Sequence, residues 1–282
     1  MIVSAPEPTV GPLLRAWRER RHVSQMTLAL DAGVSTRHLS FVETGRARPS
    51  AELVLALAEQ LEVPLRERNE LLLAAGFAPR YAARALEDPE LAAIRDAVSR
   101  VLDAHEPFPA IAVDRHWHLV ASNGALGPLL HGVADELLAP PANTLRIALH
   151  PDGMAGRIVN FAEYRAHLLE RLAREARVTA DPALSELHAE LESYPLPPAR
   201  RAAGTAAGAH PRVATELRLA DADGGELVFF STTTTFGTAV DVTVSELAVE
   251  AFFPADAATA AALQRAAGAL SAGAPAAPAT GS

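Results

Sequence analysis

From Leu13 to Phe77 apolar residues recur at helical spacing in five short bursts: Leu13, Leu14 and Trp17; Leu28, Ala29 and Ala32; Leu39 and Val42; Leu53, Leu57 and Leu61; Leu71, Leu72 and Leu73. Residues that start or stop helices bracket each burst. Ser24, Ser35 and Ser50 stand where N-caps belong, Gly33, Gly45 and Gly76 where helices end, and Pro49 and Pro64 break the chain between them. The pattern predicts an all-α domain over 12–80, preceded by a flexible arm over 1–11. A connecting segment over 81–106 ends in a helix whose apolar face is Leu91, Ile94, Val98 and Val101.

Beyond Pro107 the period changes. AIAVD and WHLVASN read as two strands joined at Arg115 and His116, with Asn123 ending the second and capping a helix from Gly124. Helices over 159–177 and 182–192 follow, then a Pro, Gly and Ala-rich stretch over 195–211 that reads as a mobile loop. Three strands close the domain, over 213–220, 226–235 and 241–253. Asp223 and Gly224 supply the positive φ of a hairpin turn, and a phase slip near Ser245 and Glu246 reads as a bulge. A helix then leads to a disordered tail over 271–282. The class expected is α+β, with the second domain over 107–270.

One strand is informative in itself. In ELVFFSTT, Leu227 and Phe229 occupy one face and Val228 and Phe230 the other, so both faces are apolar. One face is expected to pack on helices and the other to close over more protein or an enclosed ligand. Among the carboxylates, Glu250 alone interrupts an apolar stretch, on the face opposite Val249 and Ala251.

Composition narrows the classes. The 282 residues are 49% hydrophobic, enough for two packed units, and no apolar run is long enough to span a membrane. The start has no basic stretch leading into an apolar one, so neither secretion nor a membrane is expected. Zero cysteines exclude disulfides, thiolate metal sites and a cysteine nucleophile, which fits a cytoplasmic protein. The net charge of −9 argues against a phosphate-bearing partner until its distribution is considered. Residues 10–50 hold seven arginines against three acidic residues, so this stretch is basic while the remainder is acidic.

Within that stretch, Gln25, Ala29, Gly33, Val34, Leu39 and Glu43 are spaced as in a helix-turn-helix. Ala29 is small enough for a close crossing, Gly33 takes the left-handed turn, and Val34 fills the angle between helices that meet at roughly 90–120°. The segment resembles the xenobiotic-response-element type of helix-turn-helix, a lambda-repressor-like five-helix domain shared with phage repressors. The resemblance implies that Gln25, with Ser24 beside it, contacts phosphate at the start of the second helix. It implies base reading by Thr36, Arg37, Ser40 and Phe41, and backbone contacts by Arg46 and Arg48. Arg37 has the strongest chemical case, because its fork matches a guanine edge. Phe41 departs from the polar reader common in phage repressors and suits a thymine methyl instead. Arg18 and Glu43 match an internal ion pair of the family.

The order of elements in the second domain resembles a PAS-type sensor, with PAIAVDRHWHLVASNGA as its opening. More narrowly, RNELLLAAGFAPRY, LHPDGMAGRIVNFAEYRAHLLERL and STTTTFGTAVDVTVSELAVEAFFPAD are similar to the MmyB-like regulators, bacterial transcription factors with a PAS-like ligand-binding domain. This implies a one-component regulator that binds double-stranded DNA as a homodimer and a small hydrophobic, fatty-acid-like ligand as effector, with no other cofactor. Arg157 and Asn160, three residues apart, offer two donors for a carboxylate, and Phe229 and Phe230 offer apolar lining. Arg157 has an alternative as an ion pair with Asp152. A second reading makes the domain a ligand-free dimerisation or docking platform.

Enzymatic chemistry finds little support. His116, His118, His131, His150 and Asp152 lack the spacing of a specific metal site, and STTTTF lacks the turn of a nucleophile elbow. No catalytic residue and no metal are expected.

Overall fold

The computed structural model describes residues 9–197, 215–221, 224–237, 239 and 241–273. The expected loop over 195–211 lies largely outside the described residues, as do the tail beyond 273, most of the arm and the turn residue Asp223. The chain divides into two compact units: Met1–Asp88 with Glu175–Asp181 and Gly237–Ser245, and the remainder.

The first unit contains α1 (Val10–Arg20), α2 (Gln25–Asp31), α3 (Thr36–Glu43), α4 (Ala51–Gln60) and α5 (Leu65–Ala74). The hydroxyls of Ser24, Ser35 and Ser50 accept from the amides of Thr27, His38 and Leu53, so each caps its helix. Leu14, Leu28, Leu39, Val54, Leu57 and Leu71 are buried together and form the core. Val10 and Gly11 belong to α1 and are buried, so the helix takes two residues from the stretch read as an arm. A Cβ on Gly11 would meet the Val42 carbonyl oxygen at 2.4 Å, which makes glycine the condition for α1 and α3 to approach this closely.

The second unit begins with a short 3-10 turn and α6 (Ala92–Asp103). Its buried stripe runs through Leu91, Val98 and Leu102, while Val101 is exposed. The expected face was therefore misplaced at its end. A step of four residues returns closer to the same side of a helix than a step of three.

Strands β1 (Ala110–Val113), β2 (Leu119–Ser122), β3 (Leu217–Ala220), β4 (Glu226–Thr235) and β5 (Ala248–Pro254) form one antiparallel sheet in the order β2-β1-β5-β4-β3. The sequence-based α+β class is thus met. Between β2 and β3 lie α7 (Asp135–Leu138), α8 (Thr144–Leu149), α9 (Phe161–Thr179) and α10 (Pro182–Ser193); α11 (Val242–Ser245) precedes β5 and α12 (Ala257–Gly273) follows it.

Two local readings change. Asn123 does not cap the turn that follows it. Its Oδ1 accepts from the Ala110 amide at 3.1 Å, and its Nδ2 donates to the carbonyls of Leu102 and Phe108 at 3.2 and 2.7 Å. The buried amide thus satisfies three backbone groups where α6 gives way to the sheet. The last strand starts at Ala248 and not at Asp241. The phase slip is the helical turn α11, started by Asp241 Oδ1 accepting from the Thr243 amide at 2.9 Å.

Arg146 and Glu190 link α8 to α10 through two contacts of 2.8 and 2.7 Å, and Tyr194 also donates to Glu190. The hydrogen bonds from Arg146 hold the Glu190 carboxyl below its ordinary value. A depressed carboxylate contributes stability that is present above its unfolded pKa and lost as pH falls through the folded one. Glu190→Gln is therefore expected to melt lower than the parent at neutral pH, with the difference closing below about pH 4. Paired thermal melts across that range measure it.

Candidate nucleic-acid interface and ligand cavity

The helix-turn-helix is built as its spacing required. Ala29 is buried, Gly33 has φ 67°, and the Val34 amide donates to the Ala29 carbonyl at 2.9 Å. Val34 is half-buried against the core, which fixes the start of α3. Thr36 and Arg37 are exposed in its first turn, with Ser40 and Phe41 half-buried one turn on. The Arg37 guanidinium lies 5.3 Å from the centre of the Phe41 ring, close enough for a cation–π contact that orients the fork. Arg46 and Arg48 are exposed in the following loop.

Behind this face sits a buried polar hub. Glu43 is 4% exposed and accepts from Arg18 Nε at 2.7 Å, Arg18 Nη2 at 2.9 Å and Gln25 Nε2 at 2.7 Å. Arg18 also donates to the Val23 carbonyl at 3.1 Å, and its hydrogen bonds to Glu43 push its pKa above the ordinary value. Three helices are joined at one carboxylate. The Gln25 amide is thereby engaged inside the protein, and the Ser24 hydroxyl is occupied by its cap and by Thr27.

The second unit holds a partly open apolar cavity of about 80 Å³ between the sheet and α8 and α9. Trp117, Leu145, Ile147, Ile158, Leu168 and Phe229 are among its walls. Among the described residues, the polar side chains that line it besides the Trp117 indole are Thr144, Tyr164 and Glu250, and none of these lining residues is Arg, Lys or His. Of the expected ligand residues, Phe229 is fully buried and lines the cavity. Phe230 points to the other face, 37% exposed and stacked on Phe253 with centroids 5.2 Å apart.

Arg157 and Asn160 lie outside the lining. Arg157 Nη1 donates to the carbonyls of Leu129 and His131 at 2.7 and 3.0 Å, while Asp152 is placed beside His150. Asn160 donates to the Glu216 carbonyl at 2.8 Å and accepts from the Arg218 amide at 3.1 Å, so it continues the open edge of β3. Helical spacing in the sequence suggested two free donors, but both side chains complete backbone bonding instead.

Tyr164, Arg171 and Glu250 are the residues that sequence reasoning missed or left without a role. Arg171 bonds Glu250 Oε1 and the Thr233 hydroxyl, each at 3.1 Å, and stacks 4.3 Å from the centre of the Trp117 ring. Burial, and then the neighbouring Glu250 charge, push the Tyr164 phenol well above its ordinary range, so it stays protonated. The isolated carboxylate in an apolar strand was the available signal. Asp114, His116 and His118 bring ligand atoms within 4.8 Å of one another, although Asp114 Oδ1 already accepts from the amides of His116 and His118.

A helix-turn-helix with an exposed arginine at the head of its third helix stands in one chain with a domain that holds an apolar cavity. Residues 14–68 match the helix-turn-helix family model, and residues 94–266 match that of the MmyB-like transcription regulator ligand binding domain. The chain belongs to the MmyB-like transcription regulators.

It is also similar to the HTH-type transcriptional regulators MT0491 and Rv0474 from two strains of Mycobacterium tuberculosis, 36% identical over 88 residues, 31% of this chain and 55% of each relative. The chain thus spans about half the length of these curated relatives. The crystal structure of the clp gene regulator ClgR from Corynebacterium glutamicum matches at 27% identity over 36% of this chain and 99% of that one, with a TM-score of 0.22.

Proposed function

We propose that this chain is a one-component, non-enzymatic regulator whose second domain binds a small hydrophobic ligand and thereby alters how a homodimer sits on its operator. The observation that carries the reading is the apolar cavity in a chain that also bears a helix-turn-helix head. Two strands, intervening helices and three closing strands support a PAS-like sensor, and the cavity walls suit the alkyl body of a fatty-acid-like molecule. A cavity of about 80 Å³ is smaller than one of about 150 Å³ that accepts benzene, so a longer chain extends through its open side or parts its walls. Among the described residues no helix is long and apolar enough to cross a membrane, and we place the protein in the cytoplasm.

On DNA, Thr36, Arg37, Ser40 and Phe41 read bases, while Ser24, Gln25, Arg46 and Arg48 meet the backbone. Gln25 does so through whatever its amide offers beyond the bond to Glu43. One helix-turn-helix reads half a site, so the operator is a palindrome with half-sites roughly one helical turn apart. Footprinting on DNA upstream of the gene, with and without lipids extracted from the purified protein, tests the proposal. Protection of two half-sites that changes with the extract supports it. An extract containing no small molecule, with protection unchanged, favours the docking-platform reading instead.

Arg46→Ala should weaken binding to all DNA alike and lower the salt slope by about one. Titrations at several salt concentrations, on operator and on unrelated DNA, measure this.

A further inference from the structure

The turn between β1 and β2 holds two imidazoles and a carboxylate within reach of one ion. Asp114, His116 and His118 are half-buried, and one ligand atom from each lies within 4.8 Å of the other two. Asp114 Oδ2 stands 3.0 Å from His118 Nδ1, close to the edge between two ligands bonded at about 2.1 Å and at right angles on one ion. The backbone of the turn is fixed by bonds that an ion there leaves intact. Asp114 Oδ1 accepts from the amides of His116 and His118 at 2.8 and 2.9 Å, which leaves Oδ2 as the coordinating oxygen. The Asp114 amide donates to the His118 carbonyl and the Trp117 amide to the Asp114 carbonyl, each at 3.0 Å. From outside the turn, Asn143 Nδ2 donates to the His116 carbonyl at 2.8 Å, and the Thr144 amide to the Trp117 carbonyl at 2.9 Å. Trp117 has φ 66° and is 4% exposed, so the two histidines flank a left-handed residue anchored by a buried ring. Ligands one helical turn apart are the sequence signature of many metal sites, and a turn of this shape carries none. Arg115, between the ligands in sequence, is paired with Glu246 at 2.8 Å, so an acid accompanies the cation nearest the site in the chain.

Donor chemistry decides the ion. Magnesium and calcium ions take oxygen ligands, about six or more, and one carboxylate with two imidazoles does not supply them. Imidazole nitrogen suits zinc, nickel and copper ions, and three protein ligands leave a further position to water. We propose that Asp114 Oδ2, His116 and His118 bind a divalent transition-metal ion of this group on the β1–β2 turn. The ion replaces the proton between Asp114 and His118, which passes to solvent, and rotation of the side chains brings His116 onto it. It clasps both sides of Trp117, whose ring lines the cavity, and the site stands whether or not that cavity takes a lipid.

Calorimetric titration of the untagged, chelator-stripped full chain with zinc, nickel and magnesium chlorides at pH 7.5 tests it. Zinc and nickel ions are expected to bind at one equivalent per chain, at least ~100-fold tighter than magnesium. His116→Ala and His118→Ala should each weaken zinc by at least the roughly 10–100-fold that follows loss of a group merely hydrogen-bonded to a ligand. His131→Ala, at an exposed histidine elsewhere, should change nothing. Copper(II) quenches an adjacent indole, so on the parent chain it should remove part of the tryptophan emission, complete at one equivalent. The other tryptophan, Trp17, belongs to the first unit. Zinc binding no tighter than magnesium, tight zinc binding that both histidine variants keep, or copper bound without quenching overturns the inference. Should a histidine variant fail to fold, selectivity and quenching in the parent chain still decide.

Discussion

Glu43→Ala is expected to destabilise the DNA-binding unit by about 3–5 kcal/mol, the range for removing one partner of a buried ion pair. The Arg18 side chain is 11% exposed and that of Glu43 1% exposed, so the substitution leaves a guanidinium largely out of water with two donors unmatched. The Gln25 amide loses its acceptor in the same step. Denaturant unfolding followed by helical circular dichroism measures the loss. The double variant Arg18→Met with Glu43→Leu should recover much of it, because no charge is then left buried alone. A loss below about 1 kcal/mol for Glu43→Ala would place the pair in the class of solvent-screened surface bridges.

Arg37→Ala is expected to cost about 1–3 kcal/mol on the specific operator and much less on unrelated DNA, the signature of a lost bidentate base contact. Its side chain is exposed and engages the Phe41 ring, so little folding stability depends on it. Competition titrations against operators altered one base pair at a time locate the contact, since the variant should become indifferent at one position in each half-site. An equal loss on all DNA would move Arg37 into the class of backbone contacts represented by Arg46.

The helical unit was legible because its signals are local. A serine three residues before the amide it caps, or a glycine where φ must be positive, acts within one turn of chain. The Arg18–Glu43 pairing came from the family resemblance, since nothing local joins residues 25 positions apart. In the second unit the decisive partners are distant in sequence. Arg157 and Asn160 have the chemistry to meet a carboxylate, but the carbonyls of Leu129 and His131 take the Arg157 guanidinium and the edge of strand β3, nearly sixty residues on, takes the Asn160 amide. Glu250 stood out as a carboxylate in an apolar strand, yet its pairing with Arg171 spans 79 residues. At Val242–Ser245 the β-branched run reads as strand, and a tertiary setting with Asp241 as cap turns it into helix.

Residues 237–245 have a consequence for how this chain can be divided. They leave β4, fold with the DNA-binding unit and return as β5. There Asp241 Oδ2 accepts from Arg84 Nη1 at 2.9 Å, the Val242 amide donates to the Ala82 carbonyl at 2.7 Å, and the Thr243 hydroxyl donates to the Arg84 carbonyl at 2.6 Å. Asp241 is 5% exposed. The head is therefore not a cassette that a cut after Asp88 releases whole, because part of its fabric is encoded some 150 residues downstream. Swapping heads between relatives would mean carrying this short insert along, or giving up the bonds that Asp241, Val242 and Thr243 make to residues 82–84.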